Sequence, residues 1–188
     1  MDRNIRLCGE KIYLRLIQPA DKELYYTVGF EQADDEASYL TGTTTSFTKE
    51  ATDRYIDRIV DDESRFDFLI FSRDHQLLGE VVINEIDHDS RQAGFRICLF
   101  RSDWFNQGIG SEATRLVLEF AFGSLHLHRI ELEVYDYNPR ARHVYEKLGF
   151  VQEGVKRDGV FIRDRYHNVI LMSMLEADYA RIQMHLQR

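Results

Sequence analysis

The run Asn106-Gln107-Gly108-Ile109-Gly110-Ser111-Glu112-Ala113 brings together two glycines, a hydroxyl and a carboxylate. Glycines at that spacing let backbone N–H groups close on a phosphate at the start of a helix. A tight turn leading into a helix accounts for the same residues. Downstream, NPRARHVYEKLGF (138–150) sets Asn138 before Pro139 and Tyr145 on a helical stripe. Asn138 suits an N-cap or a ligand contact. The Tyr145 hydroxyl suits a buried structural bond or proton donation. Glu80 and Glu85 lie on one strand-like run, GEVVINEID, and either carboxylate could accept a proton through water. Strand alternation puts them on opposite faces, so at most one reaches a common site. His88, His126 and His128 lack zinc spacing and read as structural or surface groups, so no metal is expected.

These groups need a scaffold, and the hydrophobic periods supply one. Lys11–Ile17 alternates as a strand, and Pro19 opens a short amphipathic helix over 20–30. Residues 34–48 read as a loop, and 49–62 resume helical spacing through Ala51, Tyr55, Ile59 and Val60. FDFLIFS, LLGEVVINEID and QAGFRICLF follow with short links, the pattern of an antiparallel meander. The period then switches. Ala113, Leu116, Val117, Phe120 and Ala121 mark a helix, RIELEVY a strand and 139–148 a second helix stopped by Gly149. Strands around Val151–Val160 and Val169–Leu175 precede a C-terminal helix near Glu176–His185. The expected fold is α+β: one domain over residues 1–188, with a mostly antiparallel mixed sheet flanked by helices.

With 44% hydrophobic and 30% charged residues, the chain has the composition of a folded soluble protein. No run approaches the ~20 apolar residues of a membrane span, and the first residues lack the apolar core of a signal peptide. Two distant cysteines, Cys8 and Cys98, fit a reducing, cytoplasmic setting. A net charge of −8 disfavours nucleic acid, which is held mainly by Lys and Arg, and is compatible with a cationic amine. The acidic runs Asp34-Asp35-Glu36 and Asp61-Asp62-Glu63 could attract such an amine, or could be solvated helix ends and loops.

Two ligand readings compete for the glycine loop. GIGSEA fits the dinucleotide fingerprint G-x-G-x-x-A, with Glu131 ~20 residues on. That fingerprint belongs directly after a strand in a βαβ series. Here RSDWFNQ intervenes, an antiparallel meander comes first, and Glu131 falls early in its strand.

The alternative follows from the order strand, extended loop, QGIG, helix and strand, then N-P-x-A-x-x-V-Y-E-K-L-G-F. This order resembles the GNAT superfamily of N-acetyltransferases. IYLRLIQPAD, GFRICLF, LHRIELEVYDYNPRARHVYEKLGFVQEGV and DRYHNVILMSML look like its RimJ/RimL-type branch, which the spermidine acetyltransferases resemble. There are two departures: Phe105 stands where Gln or Arg is usual, and Asn106 replaces a frequent glycine.

The resemblance implies an acetyl-CoA-dependent enzyme that transfers acetyl directly to a primary amine. A protein N-terminal α-amino group is the first acceptor class, and a polyamine the second. An acyl-CoA-binding domain without turnover is the rival from another class. Pantetheine is expected beside the strand bearing Ile97, Cys98 and Leu99, and the pyrophosphate on the amides of Gln107, Gly108, Ile109, Gly110 and Ser111. Asn138 is expected near CoA, Tyr145 as proton donor to the departing thiolate, and Glu80 or Glu85 as proton acceptor. Direct transfer leaves Cys98 as a small apolar strand residue. A homodimer is a family-level expectation.

Overall fold

The meander forms as its short links require. In the computed structural model, which describes residues 4–186, β1 (Arg6–Cys8), β2 (Ile12–Leu16), β3 (Phe66–Ser72), β4 (Leu77–Asp87) and β5 (Gln92–Leu99) pair antiparallel in sequence order. β6 (Arg129–Tyr135) joins β5 in parallel, and the hairpin β7 (Val151–Ile162) and β8 (Arg165–Leu175) closes the far side. The eight strands run β1-β2-β3-β4-β5-β6-β8-β7, one mixed sheet in an α+β fold.

Helices cover both faces. A turn at Pro19–Asp21 leads into α1 (Lys22–Tyr26), which continues as a π-helical turn to Glu31 and packs beside α3 (Lys49–Ile59). With Tyr13, Leu69 and Phe71 of the sheet, Tyr25, Ile56 and Ile59 of these helices form one apolar cluster. On the opposite face, Ala113, Val117 and Leu118 of α4 (Ile109–Glu119) bury against Leu14, Phe68, Val81 and Phe95. α5 (Pro139–Leu148) lies on β6, and α6 (Glu176–Leu186) on β8.

One stretch departs from expectation. Within the supposed loop 34–48, Asp35–Leu40 forms a helix, α2. Asp34 Oδ1 accepts the Ala37 N–H at 2.8 Å, and Asp35 and Glu36 sit in the first turn, where the helix dipole favours negative charge. Part of the acidic run is thus a helix start.

The feature that makes a site is a short ladder. β5 and β6 pair only at Gln92↔Arg129, Ala93↔Ile130 and Gly94↔Glu131. Beyond Gly94, β5 stays with β4 as far as Leu99, while β6 stays with β8 as far as Tyr135. The two strands part, and among the described residues the β5 main chain from Phe95 onward has no strand partner on that side. A bulge in β4 between Asn84 and Asp87 lies beside the last shared pair, with Glu85 at φ 53°. Bulges bend a strand and raise its twist.

Candidate active site

The parted strands open into a cleft of about 1350 Å³, larger than the roughly 300–1,000 Å³ typical of one small-ligand pocket. Its first arm runs between β5, β6 and the start of α4. Gly108 occupies the left-handed region at φ 81°, which lets the chain turn sharply into the helix. A Cβ at Gly110 would meet nothing within 4 Å, so the first turn of α4 faces open space in the cleft wall. Those first-turn amides have no intrahelical acceptor, which is the property that attracts an anion. The loop is anchored from behind. Glu112, buried at the start of α4, accepts the Lys11 N–H at 3.0 Å, and Lys11 Nζ donates to the Gln107 carbonyl at 2.8 Å.

Gln107, expected to offer its backbone N–H to the pyrophosphate, turns its side chain away from the cleft. Its side chain donates to the Asp103 carbonyl at 2.7 Å, and it borders a separate groove beside Lys11 instead of the cleft. Gly108, Ile109, Gly110 and Ser111 do line the cleft, as do Ile97, Cys98 and Leu99. The departure at Phe105 has a spatial answer that the sequence did not show. Arg140, from the first turn of α5, stacks its guanidinium over the Phe105 ring at 3.6 Å from the centroid. A positive charge thus stands at this end of the loop, supplied from another element.

Asn138 lines the cleft with its amide largely engaged. Oδ1 accepts the Ala141 N–H at 3.1 Å as the α5 cap, and Nδ2 donates to the Leu40 carbonyl at 3.1 Å. It fastens α5 to the end of α2.

The two arms meet around Cys98. Tyr145 is buried against Phe95 and Phe150, and among the described residues its hydroxyl has no hydrogen-bond partner. Burial raises the Tyr145 phenol well above its ordinary value, and the nearby Cys98 thiol adds to the rise, so the phenol stays protonated. Burial likewise pushes the Cys98 thiol up to about 12, with Glu80 adding to it. A thiol so poorly ionised is no nucleophile near neutral pH.

Glu80 is the cross-strand partner of Cys98 and lies on the same face. Its buried carboxylate accepts Tyr25 Oη at 2.8 Å and a close bond from Arg96 Nη1. Glu85 is corrected by the structure: it is the exposed residue of the β4 bulge, outside the cleft. The extra bulge residue changes what simple alternation would have done with it.

The second arm spreads from Glu80 toward α3. Arg96 Nη2 donates to Tyr55 Oη at 2.8 Å, and Tyr55 Oη donates to Asp67 Oδ1 at 3.0 Å. Arg65 grips Asp67 with Nε at 2.7 Å and Nη2 at 2.8 Å. Burial raises the Tyr55 phenol, so the network holds a proton there. Sequence reading missed this network, because its members lie on α3, β3, β4 and β5 and meet only through strand register. Asp34 borders the cleft but is already committed: its Oδ2 accepts the Ser102 N–H at 3.0 Å and Ser102 Oγ at 2.7 Å. Asp35 and Glu36 are exposed outside the cleft.

The dinucleotide alternative fails on the same geometry. Glu131 is exposed at the start of β6, paired with Arg129 at 3.2 Å, and does not line the cleft. The loop also follows a one-turn helix at Ser102–Trp104 rather than a strand end.

Comparison with known proteins points the same way. The family described as "Acetyltransferase (GNAT) domain" matches residues 11–151. The spermidine N(1)-acetyltransferase of Escherichia coli (strain K12) is 32% identical over 130 residues, covering 69% of this chain and 68% of that protein. Its Vibrio cholerae counterpart is 35% identical over 122 residues, covering 64% and 69%. A crystal structure of spermidine N-acetyltransferase from Vibrio cholerae, in complex with CoA and spermine, superposes with a TM-score of 0.82 at 24% identity. It covers 92% of this chain and 99% of that one. With a family match over most of its length and a matching fold, the chain belongs to the GNAT acetyltransferases and is an N-acetyltransferase.

Proposed function

We propose that residues 1–188 act as one acetyl-CoA-dependent domain that acetylates a primary amine, with a protein N-terminal α-amino group as the leading acceptor. The observation that carries this reading is the two-armed cleft lined by Cys98, Tyr145 and Glu80 together, with Glu80 the cross-strand partner of Cys98. Bound acetyl-CoA supplies the activated acetyl group as a thioester. The chain's own residues supply position and protons.

Amides of Gly108 to Ser111 hold the pyrophosphate, and Arg140 adds charge at the same end. The unpaired β5 edge at Ile97–Leu99 takes the pantetheine amides as a neighbouring strand would, fixing the donor's approach. Asn138 acts chiefly by holding α2 and α5 together around that arm. Glu80 accepts the proton that a protonated amine must lose, through water, and Tyr145 donates a proton to the departing sulfur. Positioning both reactants converts a bimolecular step into an effectively unimolecular one.

A polyamine acceptor is the second reading, favoured by the named activity of the relatives above. The charge of the acceptor arm weighs against it. Arg54, Arg58, Arg65 and Arg96 all border the cleft there, and the carboxylates among them, Glu80 and Asp67, are each already paired with a guanidinium.

Labelled acetyl-CoA offered with N-terminal peptides, polyamines and aminoglycosides tests the assignment. Label incorporated fastest at a peptide α-amino group is the expected result. Incorporation into polyamines alone overturns the acceptor, and no incorporation into any amine overturns turnover itself.

A further inference from the structure

The acceptor arm has more positive charge than its own carboxylates can match. Arg65 is held by Asp67, and Arg96 by Glu80. Arg54 and Arg58 of α3 line the same cleft; Arg54 interacts electrostatically with Glu50 one turn earlier on the helix, and neither arginine forms an ion pair within 4.0 Å among the described residues. Arg58 instead rests over the Tyr55 ring, 5.6 Å from its centroid. Tyr55 is also the residue whose hydroxyl takes Arg96 Nη2, so Arg58 and the Glu80–Arg96 pair share Tyr55 as a neighbour.

Arg54 and Arg58 are four residues apart on one helix. At that spacing two side chains are neighbours on the same face, and two like charges there disfavour the helix. The rest of α3 shows the opposite habit: Lys49 pairs with Asp53 at 3.0 Å, and Asp57 with Lys22 at 2.6 Å. The helix thus ion-pairs Lys49, Asp53 and Asp57, sets Glu50 within electrostatic reach of Arg54, and has Arg54 and Arg58 lining the cleft. In a protein of net charge −8, this concentration is not a consequence of composition.

Resting on the N-acetyltransferase reading above, we infer that the acceptor carries a carboxylate close to its reactive amine, and that Arg54 and Arg58 bind it. Guanidinium groups donate paired N–H bonds that fit a carboxylate, and the neighbouring Thr44, Thr45 and Ser46 border the cleft with hydroxyls and no negative charge. An amine whose own charge is removed at Glu80 and whose carboxylate is held outward would be fixed at both ends. A polycation would meet the same two arginines as repulsion.

The test is the ratio of kcat/KM for matched peptides that differ only by Glu or Gln at the second and third positions. Free glutamate, free glutamine and spermidine complete the panel. The wild-type enzyme favours the acidic peptide by about tenfold, as charge complementarity at a binding surface allows. The double variant Arg54→Gln/Arg58→Gln brings that ratio near one with acetyl-CoA affinity unchanged. Arg58→Glu turns the preference toward a Lys-bearing peptide. Acetylation of peptides without regard to charge overturns the inference and leaves the N-terminal reading standing. If no peptide reacts but glutamate outpaces glutamine, the N-terminal reading falls and the inference stands. Spermidine outpacing every acidic acceptor, or a loss of acetyl-CoA affinity in the double variant, overturns it.

Discussion

The donor arm of the cleft is built from backbone and small side chains that are near neighbours in sequence. The acceptor arm is built from long side chains carried by α1, α3, β3, β4 and β5. In the donor arm, Gly108 and Gly110 leave amides bare at the start of α4, and β5 parts from β6 after three pairs. In the acceptor arm, Tyr25, Tyr55, Asp67, Glu80 and Arg96 satisfy one another in a continuous network. The difference suits what each arm is proposed to hold. A cofactor common to a whole family can be gripped through main chain, which tolerates sequence change. An acceptor peculiar to one enzyme must be selected by side chains.

Substitutions can break this comparison at its junction first. Tyr145→Phe removes only the proposed proton donor and is expected to lower kcat by roughly 10² to 10⁴, with acetyl-CoA affinity kept within about twofold. Steady-state rates beside a binding titration check it, and wild-type kcat removes Tyr145 from proton transfer. Glu80→Gln, at the head of the acceptor network, lowers kcat by about 10². The loss falls on turnover more than on acetyl-CoA binding, whereas Glu85→Gln, on the exposed bulge, changes neither. Parallel rates for the two variants decide between the carboxylates.

Smaller effects belong to the donor arm. Arg140→Gln weakens acetyl-CoA binding by about fivefold at low salt, and the deficit shrinks as salt screens the phosphate contact. A salt series on both proteins measures this, and equal affinities throughout count against Arg140 as the replacement for the missing basic residue at 105. Cys98→Ala changes kcat by less than about twofold. With its thiol pushed up to about 12, Cys98 is ionised at only about one part in 10⁴ at pH 8. Alkylation there is slow and rises with pH, and rapid inactivation by iodoacetamide at pH 8 would contradict that protonation state.

The same contrast explains what the sequence revealed. The glycine loop and NPRARHVYEKLGF carry their roles in consecutive residues, because a helix start, a cap and a helical stripe are local patterns. Tyr145 could be placed on the apolar stripe of its helix for that reason. Glu80 and Glu85 could not be told apart, because the choice depends on a bulge and on which strand lies opposite. Arg140 escaped notice because its contact with Phe105 joins a loop to a helix 35 positions away. The helix α2 was legible in part: Asp34 is a standard cap and Asp35-Glu36 a standard first turn, yet the run TGTTTS (41–46) just behind them has the composition of a loop. Gln107 shows the limit of a motif, since a loop residue between two that line the cleft turned to the opposite side.

The central claim is that the first turn of α4 holds the cofactor's pyrophosphate through bare backbone, and Gly110→Val tests it most directly. Space around a Cβ at Gly110 is empty, so the variant folds with a melting temperature within about 3 °C of wild type. Calorimetric titration with acetyl-CoA is expected to give a Kd at least about tenfold weaker, because the valine stands where the phosphate would lie. An unchanged Kd in the folded variant would contradict the phosphate cradle and, with it, the division of the cleft into donor and acceptor arms.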